Sequence, residues 1–394
     1  MIPVLGNFIV KRPQFEVAQH NALNWISQAH ALAKYNENIN SPDCKSLEKI
    51  NYLMNNYVNR FACGPEKISN RGTSISDFMH TNWDEMQLFN LKNNNCSPTI
   101  KEKMLFFNEI AGKVFEDFYS EVNVPPKNII HVTCTGYSSP SAAQILVSNM
   151  GWGDFTKIYH AYHMGCYAAL PALRVAQGYL LQDNIENALI SSIKGRVDIV
   201  HTELCTLHFN PNLHDPGQFV VQSLFADGFI YYSLFEKNAF YRYGLNKGLQ
   251  ILATHEVIIS HTVDAMSWDL SESGFYMSLS GKVPAIIAEN IFNFIEKLFS
   301  KTEYNFSEIK DIALYAVHPG GPKIIKLIKD VLNLSDKSIE FSELILKNFG
   351  NMSSATLPHI WNEILNSKVQ AGTLVISLAF GPGLTVVGSV MRII

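Results

Sequence analysis

The chain predicts an α/β fold in which helices pack on the faces of a sheet, and three observations lead there. From about residue 128 onward, short apolar β-rich runs alternate with helical ones. That alternation starts twice, once before residue 236 and again after it. The 394 residues, 47% of them hydrophobic, supply enough buried surface for two core-forming units or one large duplicated domain.

The elements follow in order. Residues 13 to 35 read as a helix, with Phe15, Val17, Leu23, Trp25 and Ile26 on its apolar face. Residues 38 to 95 are rich in Asn and Ser and read as a covering layer. An amphipathic helix is expected over 99 to 122, stopped by Pro125-Pro126 just before a strand at 129 to 134. A turn through Ser139-Pro140 leads to a helix at 142 to 150, a strand at 157 to 164 and an apolar helix beginning at Cys166. Strands at 197 to 205 and 229 to 235 complete the first half, residues 1 to 236. In the second half, residues 237 to 394, a strand at 249 to 260 precedes a helix whose Ile287, Ile291, Phe294, Ile295 and Leu298 share one face. A strand at 312 to 317, a helix at 323 to 332 and strands at 373 to 380 and 384 to 392 close the chain.

Composition narrows the function. A net charge of −4 without an arginine-rich run provides no field for nucleic acid. Six cysteines (Cys44, Cys63, Cys96, Cys134, Cys166, Cys205) lack CxxC spacing, which argues against a zinc ribbon, a metal site or a disulfide scaffold and for reduced thiols in the cytoplasm. The first residues have no basic stretch ahead of a long apolar run, so no secretory signal is expected. The stretch 372 to 390 is apolar, but Gly381-Pro382-Gly383 divides it, so two core strands are expected and no membrane span.

Three residues carry candidate chemistry. Cys166, at the expected start of a buried helix, is placed where free amides and the helix dipole stabilise a thiolate. His318 stands at a strand end directly before Pro-Gly-Gly-Pro, and Asn351 lies in Gly-Asn-Met-Ser-Ser-Ala. Taken singly, each has an ordinary role: a small core residue, a structural histidine, an N-cap. Together, a thiol with a His and an Asn elsewhere in the chain form a known catalytic combination.

With Met-Gly-Cys166, Ala-Val-His318-Pro-Gly-Gly-Pro, Gly-Asn351-Met-Ser-Ser-Ala and Ala-Phe380-Gly-Pro-Gly-Leu-Thr in order, the chain resembles the chalcone synthase family, the type III polyketide synthases. The resemblance implies a thiolase fold, a five-layered αβαβα arrangement of two duplicated halves, and a homodimer. It implies that Cys166 carries the acyl chain, while His318 and Asn351 bind thioester carbonyls and stabilise the enolate formed when malonyl-CoA loses carbon dioxide. His318 would also hold Cys166 as a thiolate. Acyl-CoA and malonyl-CoA are then the substrates, and no cofactor is needed.

The resemblance also assigns the cavity. Phe225 matches one gatekeeper phenylalanine, and Met277 stands at the second, where it reads equally as an ordinary core methionine. Cys134, Cys205 and His208 replace threonines of the plant cavity, and Trp268 replaces a glycine. These exchanges look more like bacterial and fungal members that make alkylpyrones, alkylresorcinols or naphthalene-type products. Ser139, before Pro140, stands where the family has a methionine on a cis bond that reaches the partner subunit's cavity. Arg71 and Lys323 are the candidate cations for CoA phosphates, with solvated surface charge as the ordinary alternative. A fatty-acyl starter is the expectation. The rivals are a ketoacyl carrier-protein synthase III, which condenses once, and an idle acyl-binding scaffold of the same fold.

Overall fold

The structure, a computed structural model, describes residues 2–40, 45–94, 98–186 and 195–394. Cys44 and Cys96 lie outside the described residues. The strands are β1 (Pro3–Lys11), β2 (Phe15–Ala18), β3 (Asn70–Thr73), β4 (Asn128–Thr133), β5 (Lys157–Tyr162), β6 (Arg196–Glu203), β7 (Gly228–Glu236), β8 (Leu249–Ile258), β9 (Met266–Ser271), β10 (Gly274–Leu279), β11 (Leu314–Val317), β12 (Leu374–Gly381) and β13 (Thr385–Ile393). Nine of them form one ladder in the order β11-β12-β13-β8-β1-β7-β6-β4-β5. β4 is parallel to β5 and β6, and β11 to β12, while the remaining neighbours run antiparallel.

The ladder behaves as two sheets meeting at a narrow seam, where β1 and β8 pair only through Val4 with Gln250 and Leu5 with Leu249. Side chains along each strand alternate between two cores. On β12, Val375 and Ala379 face a central cluster, while Ile376 and Leu378 face an outer one. On β6, Val197 and Ile199 enter the same central cluster, while Val200 faces the opposite outer core. Between the two sheets lie the helices Ala169–Glu186 and Thr356–Asn366, with Leu170, Leu173, Ile360 and Trp361 buried there. Eight of the eleven residues of Thr356–Asn366 are buried.

Helices Gln19–Asn38, Leu47–Phe61 and Ile100–Tyr119 cover the outer face of the N-terminal sheet, and Val283–Phe299, Pro322–Leu332 and Asp336–Phe349 cover that of the C-terminal sheet. Helix, sheet, helix, sheet, helix is the αβαβα order of the thiolase fold. Every residue of β4, β6 and β12 is buried, the pattern of strands enclosed on both faces.

The expected strands after residue 128 appear with small shifts at their ends. The helix expected over 13 to 35 begins at Gln19, because Phe15–Ala18 extend instead to pair with Asn70–Thr73. β1 was not expected, nor was the separate hairpin β9–β10. β7 is followed directly by the short helix Lys237–Arg242. The apolar stretch 372 to 390 is the β12–β13 hairpin, and among the described residues no helix is long and apolar enough to cross a membrane.

Candidate active site

After β5, His163 (φ 59°) and Gly165 (φ 85°) turn the chain sharply and deliver Cys166 into a turn ahead of the helix Ala169–Glu186. The helix does not begin at Cys166 as expected. The turn is closed instead by three-residue hydrogen bonds, Ala168 N–H to Gly165 O and Leu170 N–H to Tyr167 O, each 3.2 Å. Two glycines make room for it. A Cβ on Gly165 would come within 2.9 Å of Pro382, and one on Gly381 within 2.0 Å of the Tyr167 ring. The Gly-Pro-Gly segment and the Cys166 turn are therefore two sides of one close approach.

Cys166 is 7% exposed, and its Sγ lies 4.0 Å from the Ser353 hydroxyl. Burial pushes its thiol up to about 12; Ser353 and Asn351 favour the thiolate, and the charge of Glu203 opposes it. His318 follows β11, where its N–H continues the pairing with β12 by bonding to Leu378 O at 2.8 Å. It is buried, neither ring nitrogen has a partner, and burial pushes its imidazole down to about 3. Burial thus favours the neutral thiol and the neutral imidazole.

Asn351 is positioned by Gly350 (φ 72°), which ends the helix Asp336–Phe349. Its backbone bridges to the other half: Asn351 N–H bonds Leu224 O at 3.0 Å, and Ala226 N–H bonds Asn351 O at 2.8 Å. Its Oδ1 accepts from Ser353 N–H at 2.9 Å and from the Thr356 hydroxyl at 3.3 Å, whereas Nδ2 is buried without a partner. One amide thus caps a turn with its oxygen, while its donor favours the Cys166 thiolate.

A cavity opens beside Cys166 and Ser353. Phe225, Met277, Cys134, Cys205, His208 and Trp268 all border it. His318 and Asn351 are not on that wall; Asn351 adjoins it through its backbone bridge to Phe225 and through Ser353. The hairpin β9–β10 forms one side and is tied to the N-terminal half. Trp268 Nε1 donates to Cys134 O at 2.7 Å, and Gln218 Nε2 to Met277 O at 2.9 Å. His208 accepts from Phe275 N–H at Nδ1 (3.0 Å), which leaves Nε2–H to donate to Thr135 O (2.8 Å). It also stacks on Phe275 at 4.4 Å. Burial holds it down to about 3, so it is a neutral latch.

Arg71 is not at the surface, although it borders the same cavity. It is 3% exposed, and its Nε bonds Gln19 Oε1 while Nη1 bonds Gln222 O and Phe225 O, at 2.7–2.8 Å. These donors satisfy carbonyls at the end of the helix Pro216–Leu224, a structural task. Lys323 is exposed in the first turn of the helix Pro322–Leu332. Ser139 forms a cis bond with Pro140 and is exposed, away from this cavity.

Two residues beside the thiol went unread in the sequence. Ser353 lies within the Asn-Met-Ser-Ser motif, so its signal was present. Glu203 was signalled only by a carboxylate at the end of a strand otherwise suited to complete burial.

Residues 250–394 match the C-terminal domain of chalcone and stilbene synthases. Type III polyketide synthase C of Arabidopsis thaliana is 25% identical over 389 residues, 94% of this chain and 92% of that protein. Probable polyketide synthase 1 of Dictyostelium discoideum is 30% identical over 67% of this chain, and the chain spans only 8% of its length. The crystal structure of PKS-I from the brown alga Ectocarpus siliculosus superposes with a TM-score of 0.79 at 20% identity, covering all of this chain and 98% of that one. The motifs, the layered fold and these likenesses agree: over residues 250–394 the chain matches the C-terminal domain of chalcone and stilbene synthases, and over most of its length it is similar to type III polyketide synthases, which are acyl-transferring, condensing enzymes.

Proposed function

We propose that the chain extends an acyl-CoA starter held on Cys166 by iterative decarboxylative Claisen condensation with malonyl-CoA, using His318 and Asn351 as its neutral donors. The observation that carries this reading is that both ring nitrogens of His318 and Nδ2 of Asn351 are among the buried polar atoms without a hydrogen-bond partner. Buried donors without partners cost stability, and a site that binds a developing oxyanion is a reason to keep them.

In the loading step the Cys166 proton passes to the imidazole of His318 while sulfur attacks the thioester carbonyl. The C–S bond to CoA breaks, and the CoA thiolate takes up the proton. In the extension step malonyl-CoA loses carbon dioxide, and the negative charge moves onto its thioester oxygen, where His318 and the Asn351 amide donate. The resulting carbon nucleophile attacks the acyl group on Cys166, forming the new C–C bond and breaking the C–S bond to Cys166; the released thiolate takes a proton from solvent, and the lengthened chain, now on CoA, is loaded again by the same exchange for the next round. Two aligned donors stabilise that charge more than the ground state, each by on the order of 3 kcal/mol.

A fatty-acyl starter and a pyrone or resorcinol-type product are the finer reading. Its support is the flexible thioether of Met277 on the cavity wall and the absence of a bulky side chain at Ser139. Lys323 is the exposed cation for CoA phosphates, and a cytoplasmic homodimer is the expected assembly. Mass spectrometry of products from malonyl-CoA and starters ranging from acetyl to long-chain acyl-CoA tests the reading. Alkyl-tailed pyrones or resorcinols are expected; a single two-carbon extension seen only with carrier-bound malonate would instead assign a ketoacyl synthase III.

A further inference from the structure

The hairpin β9–β10 is a sheet of its own, apart from the nine-stranded ladder. A two-stranded sheet is marginal alone and has two open edges, so its place is set by what those edges meet. Within it Trp268 stands opposite Met277. Both border the cavity beside Cys166, and both carbonyls point outward to side chains of the N-terminal half. Outward carbonyls mark a pair without mutual hydrogen bonds, the kind in which facing side chains approach most closely. The bond from Ser280 N–H to Ala265 O at the base of the hairpin fits that register, because the two kinds of pair alternate. Trp268 and Met277 are therefore one unit of wall, gripped at both edges.

On one edge His163 Nε2 donates to Trp268 O at 2.6 Å, and the Trp268 indole in turn donates to Cys134 O at 2.7 Å. On the other edge Gln218 Nε2 donates to Met277 O at 2.9 Å. His163 belongs to the turn that delivers Cys166, and its φ of 59° lies in the left-handed region, which is uncommon for a ring-bearing residue. Its N–H bonds Thr133 O at 2.9 Å, continuing β5 alongside β4. Tyr137 and Phe275 pack on the ring at 5.5 and 5.4 Å. Nδ1 is buried without a partner, so among the described residues the bond to Trp268 is the only one the ring makes. A strained backbone and an enclosed ring thus serve a single carbonyl.

We propose that His163 is a positioning residue for acyl-chain size. By tying Trp268 to the turn that carries Cys166, it fixes how far the Trp268–Met277 wall stands from the thiol, while Gln218 holds the other edge of the same wall. The inference deepens the proposed function, because it takes the chain growing on Cys166 to lie against this wall.

The test is the rate at which Cys166 is alkylated by iodoacetamides bearing an ethyl or a decyl tail. Peptide mass spectrometry counts Cys134 and Cys205 apart. His163→Asn keeps a residue that tolerates the left-handed backbone but is too short to reach Trp268 O. Its decyl-to-ethyl ratio is expected to rise roughly fivefold, the factor set by one ordinary hydrogen bond. His163→Gln restores an amide donor close to the Nε2 position and should return the ratio toward that of the unaltered protein. In a Trp268→Ala background, where the indole is already gone, His163→Asn should add little. An unchanged ratio in folded His163→Asn overturns the proposal, as does a rise that His163→Gln shares or one equally large in the Trp268→Ala background. Should His163→Asn fail to fold, Gln218→Met, which removes the donor at the Met277 edge, is read instead; the same rise is expected, and an unmoved ratio overturns the proposal. The readout needs no acyl transfer, so failure of the proposed function shows separately, as polyketide formation by Cys166→Ala.

Discussion

Two groups of buried polar residues near Cys166, one centred on β6 and one on His318 and Asn351, differ in whether their hydrogen bonds are filled. On the N-terminal side, Glu203, Thr135, His201 and His208 have their hydrogen bonds filled by neighbours, forming a satisfied wall. On the C-terminal side, His318 and the Asn351 amide are equally buried and left unfilled. A satisfied network fixes shape, whereas an unsatisfied donor is held ready for charge that arrives with a ligand. The difference separates positioning from chemistry without reference to any substrate.

The largest expected effect concerns the thiol itself. Cys166→Ala should abolish acyl loading, read as the absence of a mass increment on the intact protein after exposure to acyl-CoA. Polyketide formation by that variant would break the assignment of the nucleophile.

Next come the unfilled donors. His318→Ala and Asn351→Asp should each slow malonyl-CoA decarboxylation by roughly 100- to 1,000-fold while loading is at least partly kept. The aspartate is informative because it retains the oxygen that Ser353 and Thr356 bond and replaces only the spare donor. Normal decarboxylation in both variants would remove the contrast between the two groups.

An acid titration sharpens the comparison further. His30 and His359 are held down to about 4, and His131 and His208 to about 3, mainly by burial, as His318 is. Their folded values lie below the unfolded one near 6.5, so the stability they contribute is present above pH 6.5 and is lost as pH falls toward 4 and 3. Each costs about 1.4 kcal/mol per pH unit in that window. Three of the five belong to the N-terminal half, so hydrogen exchange at pH 5 should show that half loosening first. A thermal midpoint that stays level from pH 7 to pH 5 would contradict this.

The smallest effect is on product size. Met277→Phe replaces a flexible wall residue with a rigid one, and the ratio of long to short products should fall by a few fold, measured by mass spectrometry of mixed-starter reactions. An unchanged ratio would return Met277 to an ordinary packing role.

How much of this was legible beforehand depended on sequence distance. The nucleophile turn, His318 and Asn351 sit in local motifs whose neighbours in the chain are also neighbours in space. β1 could not be read, because its partners on β7 lie more than two hundred residues away and its burial alternates poorly around Asn7, which adopts φ 56°. The β9–β10 hairpin escaped notice because Trp268 and Met277 face a cavity and not a sheet core. The burial of Arg71 was hidden for a related reason. A cation reads as surface until the carbonyls that occupy it are located, and Gln222 and Phe225 are about 150 positions away.

The bridge between Phe225 and Asn351 has a consequence for recombining genes. The contacts that carry it, Asn351 N–H to Leu224 O and Ala226 N–H to Asn351 O, involve main chain alone. Main-chain contacts do not depend on which side chains flank them. A crossover between related genes at the 236/237 boundary would therefore transfer a foreign pair of donors onto a native thiol while leaving this join intact. Chimaeras cut there are expected to assemble a complete site, whereas cuts within 224–226 or 349–353 would disturb its alignment.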